Sequence, residues 1–324
     1  MQPKILVIGA TGKHGNTGAI VVDRLTSQGR DVRVLTRTDG KRVDALRQRG
    51  AEPVVGDLHD RSTLSAAVQG EAPLSAVYFT YPIAAGVIPA AANLASVLVE
   101  SGQRPHVVVM SMATSSHSHP SKLGRDRAVA EEIFAWAGLN PTILRVAALF
   151  HENVLILHAE SIRNDGVIAN SFGSAKVPWI GGRDAAELAV HHLVQPPPST
   201  PAVNYPGGAE ALSHAEIAEI ISAETGQKIQ YRSISHQQWS GIIESHANGH
   251  GPVNTAMAPY ISIVGAGFAA GKTPLVSADP DALAAALGHR AATFTEFVRE
   301  HREEFTGVLT STSAGLGKSA VRQR

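Results

Sequence analysis

The sequence predicts an α/β fold, a doubly wound parallel sheet with helices on both faces, followed by a smaller C-terminal α+β unit. Three observations predict it. Short apolar runs alternate with helix-like segments through the first 150 residues, a glycine-rich turn follows the first run, and the alternation stops near residue 150. Strands alternating with helices of about ten residues imply right-handed crossovers between parallel neighbours, which puts helices on both faces of the sheet.

The elements follow in order. Lys4–Ile8 is an apolar run closed by Gly9, as a buried strand requires. Ala19–Leu25 places Ile20, Val21 and Leu25 on one helical face, and Gly29 ends it. Val32–Thr36 alternates as a strand, Val43–Arg49 reads as a helix and Glu52–Val55 as a third strand. Ser62–Val68 is helical, Ala76–Thr80 a strand and Ala90–Glu100 an apolar helix. The valine-rich run Val107–Met110, the helix Asp126–Ala137 and the strand Thr142–Val146 complete the first unit, residues 1–150.

Beyond it, part of 176–205 is expected to complete the same sheet. Asp184–Val194 reads as a helix stopped by Gln195-Pro196-Pro197-Pro198, and Val203–Tyr205 as a short strand. Ser213, with Glu216 three residues on and then Ile217, Ile220 and Ile221, has the spacing of a capping box. Gln227–Ile234 alternates like an edge strand, and a helix spans His236–Ser245. Asn248–Thr273 is glycine-rich and poorly patterned, and a helix Phe294–Phe305 closes the second unit, 151–306. Residues 307–324 have too little apolar content to order themselves and read as a flexible tail.

Composition excludes several classes. Lys plus Arg and Asp plus Glu are both 28, so no global field draws the chain to nucleic acid or an anionic membrane. Cysteine is absent, which removes disulfides, thiolate nucleophiles and cysteine metal sites. The apolar run Val146–Leu157 is too short to span a bilayer and is broken by His151, Glu152 and Asn153. Met1–Ile8 reads as a strand rather than a signal peptide, so a cytoplasmic protein is expected. The closest histidine spacings, His117/His119, His191/His192 and His246/His250, lack a His-Glu-x-x-His setting, and no metal is expected. Gly271-Lys272-Thr273 fails as a phosphate loop because residue 266 is alanine.

The turn Gly9-Ala10-Thr11-Gly12-Lys13-His14-Gly15 carries the chemistry. Between a first strand and a first helix, Gly9 allows a sharp turn, Gly12 lets the backbone approach a pyrophosphate, and Gly15 lets helix and strand pack closely. The pyrophosphate of a dinucleotide then rests on unpaired amides at the positive end of the helix, which is the Rossmann arrangement. Gly9, Thr11, Gly12, Lys13, His14 and Gly15 are the expected cofactor-binding residues of this turn. The second strand ends in Arg37, with Lys41 and Arg42 close behind, while the nearest acid, Asp39, lies past the position that holds a ribose 2′-hydroxyl. Arg37 fits a 2′-phosphate, which favours NADP and leaves NAD as the second choice; the bland alternative is a solvated surface arginine.

Beside that turn, Val54-Val-Gly-Asp-Leu58, Val77-Tyr-Phe-Thr80 and Thr142-Ile-Leu-Arg145, in that order, resemble the NmrA-like branch of the atypical short-chain dehydrogenases. Leu212–Ser222, Gly226, Ile229-Gln-Tyr-Arg232 and Phe294-Thr-Glu-Phe-Val298 are similar to the substrate unit of its quinone and azo reductase members. The resemblance implies Asp57 and Leu58 beside the adenine, and Thr80 and Tyr81 along the nicotinamide ribose. Asp57 is equally open to reading as an N-cap for Arg61–Val68, and Tyr81 as a packing aromatic.

Ordinary short-chain dehydrogenases use a serine after the fifth strand and a Tyr-x-x-x-Lys on the next helix. Ser111 fits the serine, but Leu123 takes the tyrosine position and Arg127 the lysine position, and no tyrosine occurs between Tyr81 and Tyr205. Leucine transfers no proton. His119, Lys122 and His151 are the candidate substitutes for the acid. Two functions remain open. One is an NADPH-dependent oxidoreductase passing hydride to a quinone-like or other conjugated small molecule, without the usual Tyr-Lys pair. The other is a catalytically silent NADP(H)-sensing regulator acting through a protein partner. Either is compatible with a homodimer.

Overall fold

The computed structural model describes residues 2–12, 15–70, 72–146, 149–247, 252–273 and 277–307. Lys13 and His14 of the glycine turn lie outside the described residues, as do 308–324 of the tail. The first unit holds β1 (Lys4–Ile8), α1 (Thr17–Ser27), β2 (Val32–Thr36), α2 (Lys41–Gln48) and β3 (Glu52–Val55). A 3-10 turn at Arg61–Thr63 and α3 (Ser65–Val68) lead to β4 (Leu74–Thr80) and α4 (Val87–Glu100). Then come β5 (His106–Met112), α5 (Lys122–Trp136) and β6 (Thr142–Val146). Next are β7 (Leu149–Phe150), α6 (Glu152–Asp165), β8 (Val167–Asn170), β9 (Val177–Ile180), α7 (Gly182–Val194) and β10 (Ala202–Asn204). They are followed by β11 (Glu210–Leu212), α8 (His214–Thr225), β12 (Gln230–Ser233) and α9 (His236–His246). The rest is helical: α10 (Met257–Ala269), α11 (Pro280–Leu287), α12 (Phe294–Glu300) and α13 (Arg302–Thr306).

Seven strands form the main sheet in the order β10-β6-β5-β4-β1-β2-β3, with each neighbouring pair parallel. β1 lies inside the sheet, so Leu6 and Val7 are fully buried, whereas β3 is an edge strand with only partly covered side chains. From β1 the chain winds one way to β2 and β3, and from β4 the other way to β5 and β6. The reversal falls between β1 and β4, so a crevice opens beyond Ile8 and Thr80, where such sheets bind ligands.

Each face of the sheet has its own core. On one, α1 (Val21, Val22, Leu25) meets the alanines of α7 (Ala185, Ala186, Ala189), which are small enough to let the helices approach. On the other, Leu64, Leu94, Leu98 and Phe134 cover the sheet, and Phe134 meets Phe79 edge-on at 5.1 Å. Burial of each such Leu or Phe is worth about 1.5–3 kcal/mol. α7 and β10 therefore serve the main sheet although they follow residue 150.

A third core gathers Trp179, Trp239, Phe172, Phe294 and Ile217, with the small sheets β11-β9-β7 and β12-β8 beside it. α8 starts with the capping box its spacing predicts: Ser213 Oγ accepts the Glu216 amide at 3.2 Å, and Glu216 accepts the Ser213 amide at 2.8 Å. α10 occupies much of the stretch that reads as unpatterned. Met257, Tyr260, Ile261, Val264 and Phe268 are buried and the helix packs on α9 and α5, so little polar face is left to set a period. No helix among the described residues is long and apolar enough to cross a membrane.

Candidate functional site

A cavity of about 370 Å³ opens where the winding reverses, bordered by the ends of β1, β2, β4 and β5. Gly9 sits at φ +85°, and a Cβ there would stand 2.4 Å from Thr80 Cγ2, so the turn admits only glycine. The Gly12 amide donates to the Gly9 carbonyl at 3.0 Å and closes the turn. α1 begins without a side-chain cap and with no acid in its first turn, and Thr17 and Gly18 line the cavity. Its positive end is thus left open for an anion. The Tyr78 hydroxyl donates to Thr17 Oγ1 at 2.9 Å and ties that end to β4.

One glycine role needs correction. Gly15 has φ +60°, but a Cβ there would meet nothing nearer than the Phe150 ring at 3.4 Å, and Gly15 does not line the cavity. At Gly18 a Cβ would stand 2.5 Å from the Gly9 carbonyl oxygen and 2.8 Å from Ala10 Cα. Gly18, continuing the three-residue spacing, is the glycine that lets helix and strand pack closely.

At the rim, Arg37 is exposed and lines the cavity with Thr11 and Gly12. Asp39 is turned away onto Arg47, with bonds of 2.7 and 2.9 Å that hold its carboxyl below the usual range. Arg42 donates to the Thr11 carbonyl at 3.2 Å. Asp57 and Leu58 also line the cavity. Asp57 accepts the His59 amide at 2.9 Å, whereas the cap of the 3-10 turn is Asp60, which accepts Ser62 N–H at 3.1 Å. The N-cap reading of Asp57 therefore fails. Tyr81 donates to the Ala85 carbonyl at 3.1 Å and meets His59 Nε2 at 2.7 Å, so its hydroxyl is engaged.

Of the candidate catalytic groups, Ser111 lines the cavity, but its hydroxyl donates to Glu131, whose carboxylate also holds Arg145 at 2.6 and 3.0 Å. The others are corrected by their surroundings. His119 is 8% exposed and outside the cavity lining; it accepts the Ser121 amide at 3.0 Å, and burial holds its pKa below the usual imidazole value. Lys122 points to solvent, paired with Asp126 one helical turn on. His151 is fully buried against Phe294 and Phe297, and burial pushes its pKa down to about 3. Adjacency in sequence did not bring these three to the cavity.

Among the described residues, Asp184, Glu187 and His289 stand at metal-ligand spacing. Glu187 is already paired with Arg24, Arg183 and His289, and Asp184 accepts the Ala292 amide at 2.8 Å, so these groups are occupied by protein donors. A dinucleotide, by contrast, suits the residues present at the glycine turn: a cradle that side chains would fill, an open helix end and an exposed guanidinium at the rim.

The sequence profile of the NmrA-like family matches residues 1–257. This chain belongs to the NmrA-like family. It is 29% identical over 313 residues to the NAD(P)H azoreductase of Xenophilus azovorans, covering 93% of this chain and 99% of that one. Its fold is similar to that of an NADPH-dependent quinone oxidoreductase from Escherichia coli in complex with NADPH (TM-score 0.76, 20% identity, 91% and 99% of the two chains). It is also similar to a Citrobacter triphenylmethane reductase in complex with NADP(H) (TM-score 0.75, 19% identity, 91% and 99%).

In this NmrA-like chain the far wall of the cavity comes from residues the sequence reading missed. Tyr260, Ile261 and Val264 of α10 line it, with Phe172, Asn153 and Met112. The Tyr260 hydroxyl stands 2.7 Å from Thr114 Oγ1 and 2.8 Å from Met112 Sδ. Arg127 borders the same space and donates to the carbonyls of Tyr81 at 2.6 Å and Pro82 at 2.8 Å. The signal for α10 was the one-face spacing of Tyr260, Ile261 and Val264, masked by the glycines around it.

Proposed function

We propose that this chain is an NAD(P)H-dependent oxidoreductase that takes NADPH in preference to NADH and passes hydride to a small conjugated acceptor of quinone or azo type. The observation that carries this reading is the cavity, which runs from the open end of α1 past Thr80 to an apolar wall of Met112, Phe172, Ile261 and Val264. A pyrophosphate cradle leads into room for a flat apolar molecule. The names of the azoreductase and quinone oxidoreductase relatives agree with it.

When bound, the reduced nicotinamide supplies the hydride, and the chain supplies position and surroundings. Gly9, Gly12 and the first turn of α1 take the pyrophosphate. Arg37 takes the 2′-phosphate through charge-assisted bonds, whose forked geometry a solvated ribose hydroxyl would not need. Asp57 and Leu58 border the adenine, and Thr80 and Tyr81 the nicotinamide ribose. The apolar wall holds the acceptor flat and keeps water from the reacting atoms. Leu123 packs into the third core, so α5 brings no phenol to the cavity. A quinone needs little help from an acid, because the product of hydride addition is a phenolate with a pKa of about 10.

The test is NADPH oxidation, followed by its absorbance, against a panel of quinones, azo dyes and enones. Turnover of quinones and azo dyes, with tighter binding of NADPH than NADH, is expected. Tight NADPH binding with no turnover of any acceptor would overturn the reading in favour of a nucleotide sensor that works through a protein partner.

A further inference from the structure

Resting on the oxidoreductase reading, we infer that Tyr260 is the proton donor of the reduction, a phenol delivered to the cavity by α10 in place of the one that α5 lacks. The family match ends at residue 257, where α10 begins, so Tyr260 stands just beyond the part of the chain that the family profile describes.

Four observations converge on it. First, its hydroxyl lies beside Thr114 and Met112, at the carboxyl end of β5 and on the cavity wall. Second, among the described residues its hydroxyl has only the Thr114 hydroxyl and the Met112 thioether as partners, and a thioether is a weak acceptor that a substrate nitrogen or oxygen would readily replace. The hydroxyls of Tyr81 and Ser111, by contrast, already donate to a carbonyl and a carboxylate. Third, the ring is held in place. His119 stacks on it at 5.6 Å and 30°, itself pinned by the Ser121 amide. Fourth, Arg127, the cation at the position where short-chain dehydrogenases carry lysine, lines the same cavity as the phenol. Burial raises the pKa of Tyr260, while the Thr114 hydrogen bond and then the Arg127 charge oppose that rise, so the phenol is protonated at neutral pH.

For an azo acceptor the step balances as follows. One nitrogen of the N=N bond receives the hydride from the reduced nicotinamide, and the π pair moves to the second nitrogen. That nitrogen takes the proton from Tyr260 Oη. A hydrazo compound, an oxidised nicotinamide and a tyrosinate in the cavity that Arg127 also lines result. Thr114, partly exposed and hydrogen-bonded to the phenol, returns a proton from solvent.

The experiment is Tyr260→Phe, which keeps the ring and removes the hydroxyl. Azo reduction should fall by about 10²–10⁴-fold and lose the basic limb of its pH profile, as removal of a general acid does. Quinone reduction should fall by less than about tenfold, since its product anion needs no acid. NADPH affinity, measured by fluorescence, and melting temperature should match the wild type. A readout free of cofactor comes from 4-aminoazobenzene bound to the protein alone. A hydrogen bond at the azo nitrogen displaces its visible band in the wild type, and Tyr260→Phe should remove the displacement. Thr114→Val, which leaves the phenol in place without its proton relay, should slow azo reduction by roughly tenfold and keep the band displaced. An azo rate in Tyr260→Phe within about threefold of wild type, far short of a general acid's contribution, or an unchanged dye band, would overturn the inference while leaving the oxidoreductase reading standing. A wild type that binds NADPH and reduces no acceptor would overturn both.

Discussion

Gly18→Ala tests how the dinucleotide cradle is built. The new Cβ would stand 2.5 Å from the Gly9 carbonyl oxygen, and ordinary contact begins at 3.4 Å, so α1 must retreat from the turn by about 0.9 Å. The opposing atoms are backbone and cannot swing aside. α1 is not free to retreat either, because Val21, Val22 and Leu25 are fully buried in the sheet core and Thr17 is tied to Tyr78. Overpacking of this kind costs about 1–3 kcal/mol, and at about 2.1 cal/mol/K of unfolding entropy per residue each kcal/mol lowers the melting temperature by about 1.5 °C. The same retreat pulls the open amides of α1 from the pyrophosphate, and a loss of about 1.4 kcal/mol there is tenfold in NADPH affinity. Gly15→Ala is the control. It strains a positive φ by about 1–2 kcal/mol but puts its Cβ no closer than 3.4 Å to any neighbour. Thermal melts and fluorescence titration with NADPH should therefore show binding lost in Gly18→Ala and retained in Gly15→Ala. Wild-type affinity in Gly18→Ala, or a larger loss in Gly15→Ala, would refute the reasoning.

Arg37→Ala should weaken NADPH by about tenfold or more and barely change NADH, since a lost charge-assisted bond is worth about 1.5–3 kcal/mol; equal loss for both nucleotides in titration would place the 2′-phosphate elsewhere. Glu152, partly buried at the start of α6, accepts the Gly182 amide at 3.0 Å, and desolvation pushes its pKa up to about 7, against the pull of its own amide, that of Gly182 and His301. A carboxyl raised in the folded state stabilises it below the unfolded value of 4.5, and that contribution is lost as pH rises towards 7. Melting temperature should therefore decline across that window, and Glu152→Gln should flatten the decline by the equivalent of about 3 kcal/mol. Parallel melting curves for the two proteins would contradict the assignment.

The first unit was legible because its strands announce themselves locally. β1, β2 and β6 begin and end where the apolar runs do, since strands covered on both faces read as near-continuous apolar stretches, and the edge strand β3 was bounded as expected too. α6 and β9 were not read: the apolar run into α6 is split by polar residues, and Pro178 speaks against a strand until β9 is found pairing only over a few residues. The cavity divides in the same way. Gly9 and Gly12 follow the end of β1 and Arg37 the end of β2, within one strand-helix-strand unit whose parallel pairing brings the two strand ends side by side. Tyr260 reaches Thr114 across 146 residues, a contact no local pattern encodes. His119, Lys122 and His151 misled because distance along the chain says nothing of which way a side chain points.

The cavity is walled by two cores whose buried residues are distinct. The cradle is rooted in the main sheet through β1 and α1, and the opposite wall in the third core through α10 and Phe172. A substitution at Ile261 or Val264 is thus expected to act first on α10 and its neighbour α9, away from the β2 end that carries Arg37. Choice of electron donor and choice of acceptor are heritable separately in such a molecule: a lineage, or an engineer, changes what is reduced without renegotiating what does the reducing.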